Sequence, residues 1–366
     1  MSKRRAIAFV MTQSGAYYFR MSASSQVAAL ALALPALSLA SAQTPASPSE
    51  TRRPVITSTT SLVVVPTLVR SPSGDLVHNL TARDFRLTDN GVVQTLRVEQ
   101  IERQPLAVVV LMQTGGAAPR QFANYRNLTP MLEAMMGSSA YRVALVTFDS
   151  RPEEIWNFPP RVDGLSSAFT DPEPGDGGAA ILDAVNLGID LLVEQPPTSR
   201  RILLLLSQPQ DDGSRAPAPD VIRRLEKSDT TVYSVAFSPE KAWLKDQFTK
   251  PRHENAPYQI SPAQPLLLHT FDLGAPLTEA IRAMRHDAAA EIATLSGGEH
   301  LRFSNKADLE QRLTALANHI PNCYTLSFRP TSREPGFHAI RVEVVHPSEA
   351  LDIDARAGYW STEVPR

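Results

Sequence analysis

The chain has 366 residues, 43% of them hydrophobic and 20% charged, with a formal net charge of -2. That is ordinary globular material, long enough for two or three modules. The absence of a basic excess excludes a nucleic-acid footprint, and the lone cysteine, Cys323, excludes an intramolecular disulfide.

Residues 1–42 read as a secretory leader. Lys3, Arg4, Arg5 and Arg20 make a positive start, Val27 to Ala40 is a short apolar run broken by Pro35, and Ala40-Ser41-Ala42 offers a cleavage site. The apolar run is shorter than the roughly 20 residues a spanning helix needs. The expectation is cleavage and export to the periplasm, the cell surface or the exterior, with no membrane span afterwards. Residues 43–54, rich in Pro, Ser and Thr, read as a flexible linker.

Residues 55–104 read as an N-terminal β module. Ser61–Val69 is strand-like, with Pro66 demanding an edge position or a bulge. Asp84–Thr88 alternates, Asp89-Asn90-Gly91 is a hairpin turn signal, and Val92–Gln100 alternates again. So few apolar positions make a thin core that needs a partner.

Residues 105–320 alternate between strand-like and helix-like segments. The strands are expected at Leu106–Met112, Arg142–Phe148, Arg201–Ser207, Thr231–Phe237 and His300–Phe303. Helices are expected at Phe122–Met136, Ala180–Val193, Val221–Ser228, Thr278–Thr294 and Lys306–His319. This rhythm predicts an α/β fold, a doubly wound, mostly parallel, Rossmann-like sheet. The proline-rich stretch 238–277, around Trp243 and Phe248, reads as a surface insertion.

Residues 321–366 read as β again, with strands at Asn322–Phe328, Phe337–Val345 and Leu351–Trp360 and a buried structural Cys323. These strands either pair with residues 55–104 into one β-sandwich, with the α/β module inserted in it, or form an independent piece.

The loop Gln113-Thr114-Gly115-Gly116 follows the most apolar strand, where open α/β sheets bind ligands. It holds no carboxylate, His, Cys or Ser. No G-x-S-x-G elbow or H-E-x-x-H pair occurs anywhere in the chain. Gly175-Asp176-Gly177-Gly178 lacks the Lys-Ser/Thr of a nucleotide loop. His286, Asp287 and Glu291 read as a solvated helix surface.

The order of segments carries a resemblance. LVVVPTLVRSPSGDLVHNLTARDFRLTDNGV, LAVVVLMQTGG, RVALVTF, GDGGAAILDAV, ILLLLSQPQDDGS, YTLSFRP and RAGYW together resemble the VWFA-related family of exported proteins typical of acidobacteria, over roughly residues 55–366. The resemblance implies a von Willebrand factor A fold. It also implies a Mg²⁺ or Mn²⁺ held at the carboxyl end of the sheet by oxygen ligands, with an open position for a partner's carboxylate. The matched positions depart from that pattern. Gln113 stands at the first Asp, Gly115 and Ala117 at the two Ser, Ala179 at the Thr and Gln208 at the second Asp. Neutral amides do not replace two anionic ligands, so neither metal nor cofactor is expected. Asp176, Asp211 and Asp212 read as turn acids.

The expected function is non-enzymatic recognition of a protein partner at the cell envelope. The expected surface is the apex of loops 113–118, 175–180 and 208–214, with Gln113, Thr114, Gly115, Gly116, Asp176, Ala179, Gln208, Asp211 and Asp212 as candidate contacts. The alternatives are a scaffold with no apex ligand, or cation-dependent adhesion through a rearranged site.

Overall fold

The structure, a computed structural model, describes residues 62–99, 104–137, 140–237, 275–332, 334–347 and 349–361. The expected leader, the linker and most of the 238–277 insertion lie outside the described residues.

The first β segment supplies β1 (Val63–Arg70), β2 (Phe85–Asp89), β3 (Val92–Val93) and β4 (Leu96–Glu99). The last supplies β11 (Tyr324–Phe328), β12 (Gly336–Val344), β13 (Asp352–Ala355) and β14 (Gly358–Ser361). The two segments interleave in two four-stranded sheets, ordered β13-β1-β11-β4 and β14-β12-β2-β3. One core serves both, built from Val63, Val65, Val69, Leu326 and Phe328 of the first and Phe85, Leu87, Ile340 and Tyr359 of the second. Each thin segment thus buries its apolar face against strands from the other end of the chain.

Two expected strands are each divided between the sheets. Val92–Gln100 breaks at Gln94: β3 pairs with β2, whereas β4 pairs with β11. Leu351–Trp360 breaks at Arg356: β13 pairs with β1, whereas β14 pairs with β12. A strand that changes sheets leaves backbone groups unpaired, and these must find partners. Each crossing supplies them through one long, buried polar side chain. Gln94 Nε2 donates to Val92 O (3.2 Å) and Thr331 Oγ1 (3.0 Å). Arg356 donates to Gly358 O (3.0 Å), Val64 O (3.2 Å) and Glu226 O (2.8 Å) and pairs with Asp229 (3.2 Å).

Pro66 is not on an edge strand, because β1 is flanked by β11 and β13. Pairing to β13 begins only at Thr67, so at Pro66 the strand has a ladder partner on one side alone, where a missing N–H is tolerated.

Between the β segments, the chain forms a mixed α/β body. Its strands are β5 (Leu106–Gln113), β6 (Tyr141–Phe148), β7 (Pro152–Trp156), β8 (Arg200–Ser207), β9 (Thr230–Phe237) and β10 (His300–Phe303). Their order is β10-β9-β8-β5-β6-β7, all parallel except β7. The helices are α1 (Phe122–Tyr125), α2 (Leu128–Met136), α3 (Ser166–Thr170), α4 (Ile181–Val193), α5 (Ala218–Lys227), α6 (Ala275–Met284), α7 (Ala288–Ser296) and α8 (Lys306–Asn322). Leu106, Val108, Val110 and Met112 face a core shared with α1, α2, α3 and α8, while Ala107, Val109 and Leu111 face one shared with α4 to α7. A strand covered on both faces reads as an unbroken apolar run, and β5 does.

Three expected elements end differently. Phe122–Met136 is two helices, because Pro130 cannot donate to Arg126 O and its ring crowds that carbonyl; the break falls at Arg126-Asn127. Thr278–Thr294 is also two helices, because Asp287 caps α7, accepting from Ala290 N at 2.9 Å. Asn322 closes α8, and Cys323 is its buried C-cap rather than a strand residue; burial pushes the Cys323 thiol up. No helix among the described residues is long and apolar enough to cross a membrane.

Candidate functional site

The chain leaves β5 for β6 and β7 on one side and returns to β8, β9 and β10 on the other. The order reverses between the carboxyl ends of β5 and β8, the place where open sheets bind ligands. Gln113 ends β5 and Gln208 follows β8. Their amides join across the reversal: Gln208 N donates to Gln113 Oε1 (2.8 Å), and Gln113 Nε2 donates to Gln208 Oε1 (3.2 Å) and Gly115 O (3.0 Å). Gln113 is fully buried, so both ends of its amide are engaged inside the protein.

A second layer of contacts locks the loops to one another. Thr114 N and Oγ1 both donate to Phe148 O, at 2.8 and 3.1 Å. Gly116 N donates to Asp176 O (2.8 Å), and Gly175 N to Thr114 O (3.1 Å). Ala179 and Asp212 exchange two backbone hydrogen bonds of 2.8 Å.

The close approach requires glycine at position 115. A Cβ there would lie 2.4 Å from Gly178 O, 2.7 Å from Asp149 Cβ and 2.8 Å from Asp176 O. Gly178 fits as tightly against Ser150, whose Cα would be 2.7 Å from an added Cβ.

Asp149 and Ser150, directly after β6, belong to this apex although the sequence reading passed over them. Asp149 is buried. Its Oδ2 accepts from Asp176 N (2.9 Å) and its Oδ1 from Arg151 N (3.1 Å). Their position after an apolar strand was the available signal. The Ser150 hydroxyl first, then backbone N–H groups of Gly178 and Ser150, hold the exposed Asp176 carboxyl below the usual carboxylate range. Partial desolvation and then the Asp149 charge push Glu153 up.

Asp211 has a structural post. The first turn of α4 has no side-chain cap from its own N-cap residue, Ala180. Asp211 Oδ1 accepts from Leu182 N (3.0 Å) and from Ser214 Oγ (2.5 Å), and Ser214 Oγ accepts from Leu182 N and Asp183 N (3.0 and 3.2 Å). Loss of such a cap costs about 1–2 kcal/mol. Asp211→Ala is therefore expected to lower the unfolding free energy, read from urea curves, by that amount equally in EDTA and in magnesium. A loss confined to magnesium would assign Asp211 to a cation instead.

Of the nine candidate contacts, Gln113, Thr114, Gly115 and Ala179 are buried and brace the apex from inside. Gln208 and Asp211 are half-buried and engaged. Gly116, Asp176 and Asp212 are exposed. The outer surface at the reversal is thus made by Gly116, Asp176, Gly177, Gln210, Asp212 and Gly213.

A divalent cation does not fit the positions that the family resemblance assigns to it. Gln113 and Gln208 supply no anionic ligand, their amides are engaged with each other, and the direction a ligand side chain would take from Gly115 is filled by backbone. Among the described residues, no group of three or more His, Cys, Asp or Glu side chains is arranged to hold a metal.

His338, paired inside the sandwich, is likewise enclosed. Its Nδ1 meets Asp89 Oδ1 (2.8 Å), its Nε2 meets Glu334 O (2.8 Å), and Tyr359 OH donates to Asp89 Oδ2 (2.8 Å). All three side chains are buried, which makes this a core network rather than a site open to substrate.

No family model matches the chain, and no curated protein matches it. Solved structures do. An aerotolerance-related membrane protein from Bacteroides fragilis NCTC 9343, carrying multiple mutations to serine, is 13% identical with a TM-score of 0.37, over 58% of this chain and 98% of that one. The conserved hypothetical protein BatB from Bacteroides thetaiotaomicron is 14% identical with a TM-score of 0.34, over 58% of this chain and 99% of that one. A mutant of the PilB minor pilin from Streptococcus sanguinis is 12% identical with a TM-score of 0.36, over 61% and 62% of the two chains. Likeness at these values names neither an activity nor a partner for this chain.

Proposed function

We propose that this chain is an exported, non-enzymatic von Willebrand A-like protein of the cell envelope that recognises a protein partner through its apex, without a bridging metal. One observation carries the reading. The loops at the strand-order reversal are cross-braced by buried amides and interlocked glycines, while exposed polar groups and backbone ring the outside. A surface held rigid before binding loses little freedom on association, which favours recognition. The leader-like residues 1–42 support export.

The scaffold alternative has its own observation. Val92 and Val93, at the open edge of the β14-β12-β2-β3 sheet, are 57% and 62% exposed. A photo-crosslinking residue placed at Gly177, where an added Cβ meets nothing within 4 Å, separates the two readings from one placed at Val93. In the native envelope, an adduct from position 177 that is lost on Asp212→Arg is the expected result. An adduct from position 93 and none from 177 would replace apex recognition with scaffolding.

A further inference from the structure

Where α5 meets the sandwich, Glu226 is buried at 6% exposure, and neither of its carboxyl oxygens has a hydrogen-bond partner among the described residues. A buried carboxylate without partners is costly, so such a group holds a proton instead. Beside it lies a cavity of about 10 Å³ lined by Ile222, Leu225, Thr230, Leu295, Ser296 and Arg356, about the least room a single water needs. Among the described residues, Arg356 is the other ionisable side chain on that cavity. Arg356 also ties the two bodies together: its guanidinium holds Val64 O and Gly358 O of the sandwich and Glu226 O and Asp229 of the α/β body. Of the remaining charges nearby, Arg223 stacks its guanidinium on the Trp360 ring, with its Cζ 4.7 Å from the centroid, and Asp229 is engaged by Arg356. Gly297, after α7, packs its backbone against that of Arg356, leaving the seam no slack: a Cβ there would come within 2.8 Å of Arg356 N.

We infer that Glu226 is a proton-operated latch between the α/β body and the sandwich, closed when its carboxyl is protonated and loosened when it ionises. Loss of the proton to water leaves an anion facing Arg356, which must then divide its donors between that anion and the carbonyls that join the two bodies. This reading is independent of what the apex binds.

Burial lifts the Glu226 carboxyl to about 7, from 4.5 in a free chain, against the opposing pull of Arg356 and Arg223. The native state therefore keeps a proton that the open state gives up. Closure is fullest below about pH 4.5 and is lost as pH rises through about 7, by up to tenfold in the opening equilibrium per pH unit. Burial also raises Asp354, elsewhere on the sandwich beside Arg70 and Glu299, to about 6. That group is retained in the Glu226 variants and marks any residual slope.

Hydrogen exchange of the full chain between pH 5 and 8, read as protection factors, tests the latch. The expected result is a fall of up to roughly tenfold per unit between pH 5 and about 7, levelling off above it, in segments 222–232 and 353–361, with β5 unchanged, and no such fall in Glu226→Gln. An equal fall in Glu226→Gln, or one shared by β5, would overturn the proposal. The wild-type chain offers a second test that needs no variant. Its Glu226 carboxyl carbon shift is expected to titrate near 7, and a midpoint in the ordinary carboxylate range would overturn the latch as well.

Discussion

Gly115→Ser is expected to destabilise the folded chain by about 3 kcal/mol, or roughly 5–10 °C in midpoint for a body of this size. The new Cβ would be 2.4 Å from Gly178 O and 2.8 Å from Asp176 O, and both obstacles are backbone. Backbone cannot swing aside as a side chain does. The 175–178 loop must therefore move, together with the hydrogen bonds that join it to Thr114 and Gly116. Gly177→Ser is the control, because nothing lies within 4 Å of its Cβ; its stability should stay within about 0.5 kcal/mol of wild type. A fuller variant, with Gln113→Asp, Gly115→Ser, Ala117→Ser, Ala179→Thr and Gln208→Asp, would rebuild the family's ligand set on paper. Thermal melts in EDTA and in magnesium are expected to show both Gly115 variants weakened equally in the two buffers. A ligand that binds only the native state raises the midpoint, so a magnesium-dependent recovery would show that the apex can still open around a cation.

Arg356→Ala is expected to cost about 3–5 kcal/mol, the range for stripping a buried charge from its partners. Arg356 is 5% exposed, and its guanidinium serves three carbonyls and one carboxylate drawn from both bodies. Removing it strands Val64 O and Gly358 O at the point where β13 gives way to β14. It also removes the cation that faces Glu226. Arg356→Lys keeps the charge but not the planar fork, so it should recover only part of the loss. Urea unfolding curves of the three proteins give the ranking directly. An Arg356→Lys midpoint equal to wild type would show that charge alone holds the crossing, and an Arg356→Ala loss below about 1 kcal/mol would remove Arg356 from the account of the seam.

Local pattern was enough for the α/β rhythm. The five parallel strands were legible because most are short, largely apolar runs bounded by turn residues, and β5, β6, β8, β9 and β10 lie within a residue or two of where periodicity puts them; the antiparallel edge strand β7, largely exposed and polar, was not expected. The hairpin turn at Asn90-Gly91 was legible because its backbone conformation favours so few residue types. The departures of Gln113, Gly115, Ala117, Ala179 and Gln208 from a metal-binding pattern were visible as residue types alone.

Pairing was not legible, because it depends on residues hundreds of positions away. Val92–Gln100 and Leu351–Trp360 each read as one strand, and neither run says that Gln94 and Arg356 carry the chain from one sheet to the other. That follows from which strands lie opposite, and it turns two surface-looking polar residues into buried ones. The apex shows the same limit. A glycine in a loop can mean flexibility or contact, and only the assembled loops show that Gly115 is needed because backbone lies where its side chain would be. Likewise Gln113 and Gln208 looked like exposed contacts in the linear chain, but face each other because β5 and β8 are neighbours. Amino-acid type and spacing set the elements through short-range sterics and burial; the long-range packing of those elements decided which polar groups became braces and which remained surface.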